Sequence, residues 1–234
     1  MPLARTASIL VAAAVLVATF TPALEAAPTS AELEILESTP ARIVVEARFP
    51  EPHRQGVTLE GVAYDRIDLA GTHGFGEPGT PTVAAIATLL SIPGYAGPKL
   101  SILETEHIEI DGLLLAPIQA SSGSKTPPDA DAYGADLFTP DTFAAIGEPA
   151  IMRDLRVIPL RFYPVRYNPT LGTARVLSRI VVEIDLSSPG RTNLLTRNGP
   201  VSEAFADIYR DQVLNFDETR YESDERGKYR IITH

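Results

Sequence analysis

From residue 33 onward the chain alternates short apolar-rich runs with clusters of Gly, Pro and Asp, the punctuation of strands and turns. The runs cover residues 41–49, 57–69, 82–92 and 100–110. In residues 41–49 (ARIVVEARF) and 101–110 (SILETEHIEI), β-branched and aliphatic residues interleave with charges, as in a strand with one buried and one wet face. Residues 175–186 return to the same alternation. Twenty prolines and sixteen glycines fall mostly between these runs, which argues against long helices and against a βαβ series. The pattern predicts an all-β fold, an antiparallel β-sandwich.

A single helix stands out. Between residues 201 and 216 apolar side chains recur near helical spacing at Phe205, Ile208, Tyr209, Val213 and Leu214, with Ser202 placed as N-cap. Residues 120–131 are rich in Ser, Gly, Pro and Asp and cannot bury much, so they are expected as an exposed loop with Lys125 in its middle. Residues 217–228 carry many charges and little apolar content, the composition of a solvated linker, while residues 229–233 (YRIIT) have the look of a new strand. No internal repeat is visible.

The start of the chain differs. Arg5 precedes an apolar run over residues 9–20, and the small residues Ala23, Ala26 and Ala27 follow. This is the layout of a secretory signal peptide. The run is shorter than the roughly 20 residues a membrane-spanning helix needs. Cleavage is expected near Ala26, which makes residues 1–26 the signal and places the mature protein outside the cytoplasm, secreted or periplasmic, with no membrane attachment after signal removal.

Composition then removes several function classes. An apolar content of 44% is that of a globular protein with a packed core. A net charge of -10 with scattered Lys and Arg disfavours nucleic acid and anionic membranes as partners. With no cysteine, the chain has no disulfide, no thiolate metal site and no cysteine nucleophile. His53, His73, His107 and His234 show neither an HExxH pattern nor metal-ligand spacing, and His107, beside Glu106 and Glu109 in a strand, reads as solvent-exposed. The glycine-rich residues 71–79 lack the spacing and the following helix of a phosphate loop. Asp129, Asp131 and Gly134 faintly suggest a calcium loop, but Tyr133 stands at the next ligand position and the closing Glu is missing. No catalytic residue, metal or cofactor is read from the sequence.

Four segments, in order and spacing, resemble the pro-region of the gingipain-type cysteine peptidases (clan CD, family C25), over most of the chain from about Gly71 to its end. Residues 76–81 (GEPGTP) lead into an apolar strand that closes with Ile92 and Pro93. Residues 153–156 (RDLR) lead through 157–159 (VIP) and 162–164 (FYP) to Tyr167, Asn168 and Pro169, then a turn and a strand over 175–186. The third segment is the helix end, residues 209–216, and the fourth is residues 229–234 (YRIITH), similar to the first strand of the family's catalytic domain.

The resemblance implies a gingipain-propeptide-like sandwich over residues 28–216, a linker over 217–228 with Arg220, Arg226 and Lys228 as candidate processing sites, and the start of a truncated peptidase domain at 229–234. It implies a pro-region that assists folding of a cognate downstream cysteine peptidase domain and blocks its cleft until proteolysis; the chain itself is not an enzyme. Members of the family offer a basic side chain from an exposed loop to the peptidase's specificity pocket. The matching segment here is residues 116–134, in which Lys125 is the only basic residue, either inhibitory or a solvated loop lysine. Tyr167, Asn168 and Pro169 are expected to act as fold determinants, since Pro169 fixes its own φ and biases Asn168 towards extended backbone. The competing reading is a secreted, non-catalytic β-sandwich that binds sugar or protein, whose mark would be an exposed aromatic patch; the chain has no tryptophan and 7% aromatic residues.

Overall fold

A computed structural model describes residues 27–120, 125–196 and 203–216. These form two five-stranded sheets and one separate hairpin, all antiparallel. The first sheet contains β1 (Glu32–Ser38), β2 (Arg42–Arg48), β7 (Lys99–Ile110), β11 (Val165–Asn168) and β12 (Thr173–Asp185). The long β12 is its spine: β7 pairs along one edge, while β11 and β2 share the other. The second sheet contains β5 (His73–Phe75), β6 (Val83–Ser91), β8 (Ala144–Ile146), β9 (Ala150–Met152) and β10 (Leu155–Phe162), with β8 and β9 sharing one side of β10. The hairpin is β3 (His53–Leu59) and β4 (Val62–Asp68).

The core lies between the sheets. Ile43, Val45 and Ala47 of β2 and Ile180, Val182 and Ile184 of β12 meet Leu90 of β6 and Ile158, Leu160 and Phe162 of β10. Period-two alternation sends these side chains inward from every strand, which is why the sequence pattern reads as a sandwich. A second cluster under the hairpin joins Ile67, Leu69, Leu113, Leu115, Val165, Tyr167 and Val176. Strands β1 and β2, residues 32–48, thus belong to the sandwich, and residues 53–68 form the hairpin beside it.

Three strand expectations need correction. The run 57–69 is not one strand, because Glu60 and Gly61 adopt positive φ (52° and 81°) and fold it into a two-residue hairpin turn. β2 is buried on both faces: Glu46 is only 3% exposed, accepting from Arg48 Nε at 2.8 Å and Arg179 Nε at 2.5 Å. Those long side chains lie over the sheet and shield the carboxylate. β7 is the reverse case, exposed on both faces, with Ile102, Leu103 and Ile108 left 39%, 47% and 51% exposed. It is an edge strand, and the facing rim of the second sheet is β8, too short to cover it.

The helix is α2 (Glu203–Gln212), and Tyr209 and Val213 pack with Leu155 and Val157 on the outer side of the second sheet. Ile208, expected on its apolar face, is 47% exposed. Ser202 lies outside the described residues, as do Ala26, residues 217–228 and 229–234 with their candidate cleavage sites, and His234. Past α2 the chain joins the edge of β6: Leu214 N donates to Leu89 O, and Asn215 accepts from Ser91 N at 2.7 Å and donates to Ser91 O at 2.9 Å.

Candidate functional site

The segment around Lys125 rises from a platform built by residues 76–82. Gly79 bridges the two limbs of the loop, donating to Ile118 O and accepting from Asp129 N, both at 2.9 Å. Ile118 N donates to Thr80 O and Thr82 N to Ala116 O, so the ascending limb pairs with the platform like a short strand. Thr80 Oγ1 closes the turn below, accepting from Glu77 N and donating to Glu77 O. The two glycines are required here: Gly76 and Gly79 sit at φ 139° and 92°, and a Cβ at Gly76 would lie 2.8 Å from Ile118 Cδ1. The GEPGTP motif is therefore the seat of the loop.

The descending limb ends in a helical turn absent from the sequence reading, α1 (Ala130–Gly134). Asp129, the first of the two aspartates considered for calcium, is its N-cap and accepts from Ala132 N at 2.8 Å. Tyr133 donates its hydroxyl to Leu115 O at 2.6 Å, and burial pushes that hydroxyl's pKa far up. Asp131 is exposed in the same turn. Among the described residues no group of three His, Asp or Glu side chains is gathered as a metal would require. His53, His73 and His107 are all exposed, the ring of His107 lying 5.8 Å from that of Phe143.

Tyr167, Asn168 and Pro169 lie beneath the loop and hold both of its flanks. Tyr167, 1% exposed, donates its hydroxyl to Leu113 O at 2.8 Å. Asn168 donates from Nδ2 to Asp136 Oδ1 at 3.0 Å and accepts from Leu171 N at 3.1 Å. Tyr167 and Thr139 exchange both backbone bonds. Pro169 opens the turn over residues 169–172, which closes at Gly172 with φ 66°, whose carbonyl accepts from Leu113 N at 2.8 Å.

The β3–β4 hairpin is tied to the same place. Asp65 accepts from Arg54 Nε at 2.8 Å and from Leu114 N at 3.0 Å. Burial alone would push the Asp65 carboxyl up, but those hydrogen bonds and the Arg54 charge hold it below its usual range. At the hairpin tip Glu60 reaches Lys125, whose ammonium lies 3.3 Å away with the lysine side chain 80% exposed. An ion pair so open to water contributes little, and Lys125 is presented outward.

Sequence reasoning missed two features. Gln119 and Thr126 bond reciprocally across the neck of the loop. Arg156, within residues 153–156 of the resemblance, is 1% exposed and faces no carboxylate: its guanidinium donates to the carbonyls of Pro93, Ala96, Thr192 and Asn193 at 2.7–3.0 Å. Burial lowers its pKa, though a guanidinium stays charged at any ordinary pH. The sequence carried little signal for it, since the same strand holds a second arginine, Arg161, which is exposed.

A family model described as Propeptide_C25 matches residues 25–223. Gingipain R2 of Porphyromonas gingivalis is 26% identical over 212 residues, covering 86% of this chain and 29% of its own length. Lys-gingipain of the same organism is 25% identical over 161 residues, 64% of this chain and 9% of its own length. The chain thus spans less than a third of those relatives. A structure described as a complex of Porphyromonas gingivalis RgpB pro- and mature domains superposes with a TM-score of 0.68 at 22% identity, over 78% of this chain and 95% of the other. One concerned with zymogenic latency of gingipain K gives 0.59 at 21% identity, over 69% of this chain and 94% of the other.

Proposed function

The chain belongs to the Propeptide_C25 family of gingipain-type cysteine peptidases, and from that premise we propose that it folds with, and inhibits, the peptidase domain of its own precursor until proteolysis separates them. The chain holds no cysteine and carries no nucleophile of the family's kind. Its contribution is binding: the sandwich presents one basic side chain, Lys125, from a loop seated on the Gly76 and Gly79 turn. That presentation is the observation that carries the reading. A lysine ammonium exposed to this degree has the length and charge to enter an acidic specificity pocket. Export through the signal over residues 1–26 places the precursor outside the cytoplasm, and Arg220, Arg226 and Lys228 are the bonds at which release is proposed.

The test is titration of the purified chain into the peptidase released from the same precursor. Wild type is expected to inhibit, and Lys125→Ala to inhibit at least about tenfold less tightly, the loss of one desolvated charge contact. Equal inhibition by Lys125→Ala removes Lys125 from the pocket, and no inhibition by wild type removes the inhibitory role. N-terminal mass analysis of the matured peptidase is expected to place its start within residues 217–229; a start elsewhere rejects the three processing sites.

A further inference from the structure

The loop around Lys125 is closed at its neck by side chains rather than by backbone pairing. The Gln119 amide acts as a displaced peptide group: Nε2 donates to Thr126 O and to Pro117 O, and Oε1 accepts from Thr126 N, each at 3.1 Å. Thr126 answers with Oγ1, which accepts from Ala120 N at 3.1 Å. The orientation of the amide is fixed by this set. Turned over, its oxygen would face two carbonyls and its NH2 would face an N–H, losing all three bonds. Below the neck the Ala116 and Ile118 pairings and the Asp129 tie hold both limbs to the platform. The Lys125 peptide bond is therefore one residue from a fixed point, Thr126, whose N–H and C=O are both engaged.

That geometry matters for a basic residue facing a peptidase. A peptidase cuts a segment that can be drawn into extended form in its cleft, so an accessible lysine in a free loop is a substrate. A lysine whose next residue is held at N–H, C=O and hydroxyl resists that distortion, and its bound form loses less conformational entropy. We propose that Gln119 and Thr126 are positioning residues that close the neck of the loop, so that a lysine-specific peptidase meets Lys125 as a held inhibitor instead of a cleavable bond. The inference rests on the inhibitory reading of Lys125, but the clamp itself is testable without the cognate peptidase.

The purified chain offers a lysine-specific endopeptidase Lys99, Lys125 and Lys228 alone. The digest is followed by mass spectrometry for cleavage between Lys125 and Thr126 in wild type, Gln119→Leu, Thr126→Val and Thr126→Ser, with melting temperature measured for each. Gln119→Leu and Thr126→Val are expected to be cut about tenfold faster at that bond, since each loses one or two hydrogen bonds that hold it. Thr126→Ser keeps the hydroxyl and is expected to match wild type, a rescue that generalised loosening would not produce. Equal rates at Lys125 in folded Gln119→Leu and Thr126→Val overturn the proposal. If either variant melts much lower, amide exchange in wild type decides instead: protection of the Ala120 and Thr126 N–H groups is expected, and exchange of both at free-chain rates overturns it. Inhibition by Lys125→Ala, measured separately, sinks or supports the reading of Lys125 and leaves the clamp untouched.

Discussion

Tyr167 on β11 and Leu113 at the start of the loop's ascending limb are joined by a hydroxyl-to-carbonyl hydrogen bond of 2.8 Å, with the two residues 1% and 5% exposed. Removing the hydroxyl alone leaves a buried carbonyl with one bond fewer. Tyr167→Phe is expected to destabilise the chain by about 1–2 kcal/mol in urea unfolding while keeping the fold. A neutral effect would mean that the ring and not the hydroxyl is what the position requires.

Arg156 gives a larger expected effect. Four carbonyls from two separate segments depend on one planar fork, which a lysine ammonium cannot reproduce. Arg156→Lys is expected to cost about 3 kcal/mol through the carbonyls it leaves unpaired, read as a lower urea midpoint with unchanged slope. The same contacts bring the chain near Gly94 so close that a Cβ there would lie 2.1 Å from Leu195 O, so Gly94→Ala is expected to destabilise as well.

Asp65 makes stability depend on acid. Its carboxyl is held below the unfolded value of about 4 by Arg54 and Leu114 N, so the unfolded chain binds the proton more readily. The stabilisation is complete above that unfolded value and is lost as pH falls from about 4 through the lowered folded value. Urea midpoints of wild type are expected to fall over this range, and those of Asp65→Asn to fall less steeply. Parallel curves for the two proteins would rule out Asp65 as a source of the dependence.

The exposed edge strand provides a contrast of position. Ile108 on β7 is half in water, whereas Ile180 on β12 is fully buried. Ile108→Thr is expected to change stability by less than about 0.5 kcal/mol, and Ile180→Thr by more than about 2 kcal/mol. Similar costs at both sites would indicate that β7 is covered.

The alternation of side chains in β2, β7 and β12, with the turn residues between the runs, was enough to read the sandwich, because period two reports which residues share a face. It does not report what covers that face. For that reason the burial of Glu46, which depends on Arg179 far along the chain, and the exposure of Ile102 and Ile108 were both misjudged. The hairpin turn at Glu60 was missed because a glutamate at positive φ is not a turn signal. Around the site, the position of the loop and its single lysine were legible from composition. The reciprocal bonding of Gln119 and Thr126 was not, since nothing in a polar loop marks which side chains find each other.

Asn215 holds the peptide of Ser91 by both its N–H and its C=O, and its Nδ2 lies 3.3 Å from Ser38 Oγ. Phe216, whose ring packs on that of Tyr209, is the last described residue, and it stands before any of the proposed cleavage bonds. A cut beyond Phe216 would then break connectivity without removing a single described contact. What changes is concentration: a tethered inhibitor faces its target at an effective concentration on the order of millimolar, and a severed one only at the concentration of the surrounding solution. Release of the peptidase would be governed by dilution and dissociation rate, with the propeptide leaving as a folded body.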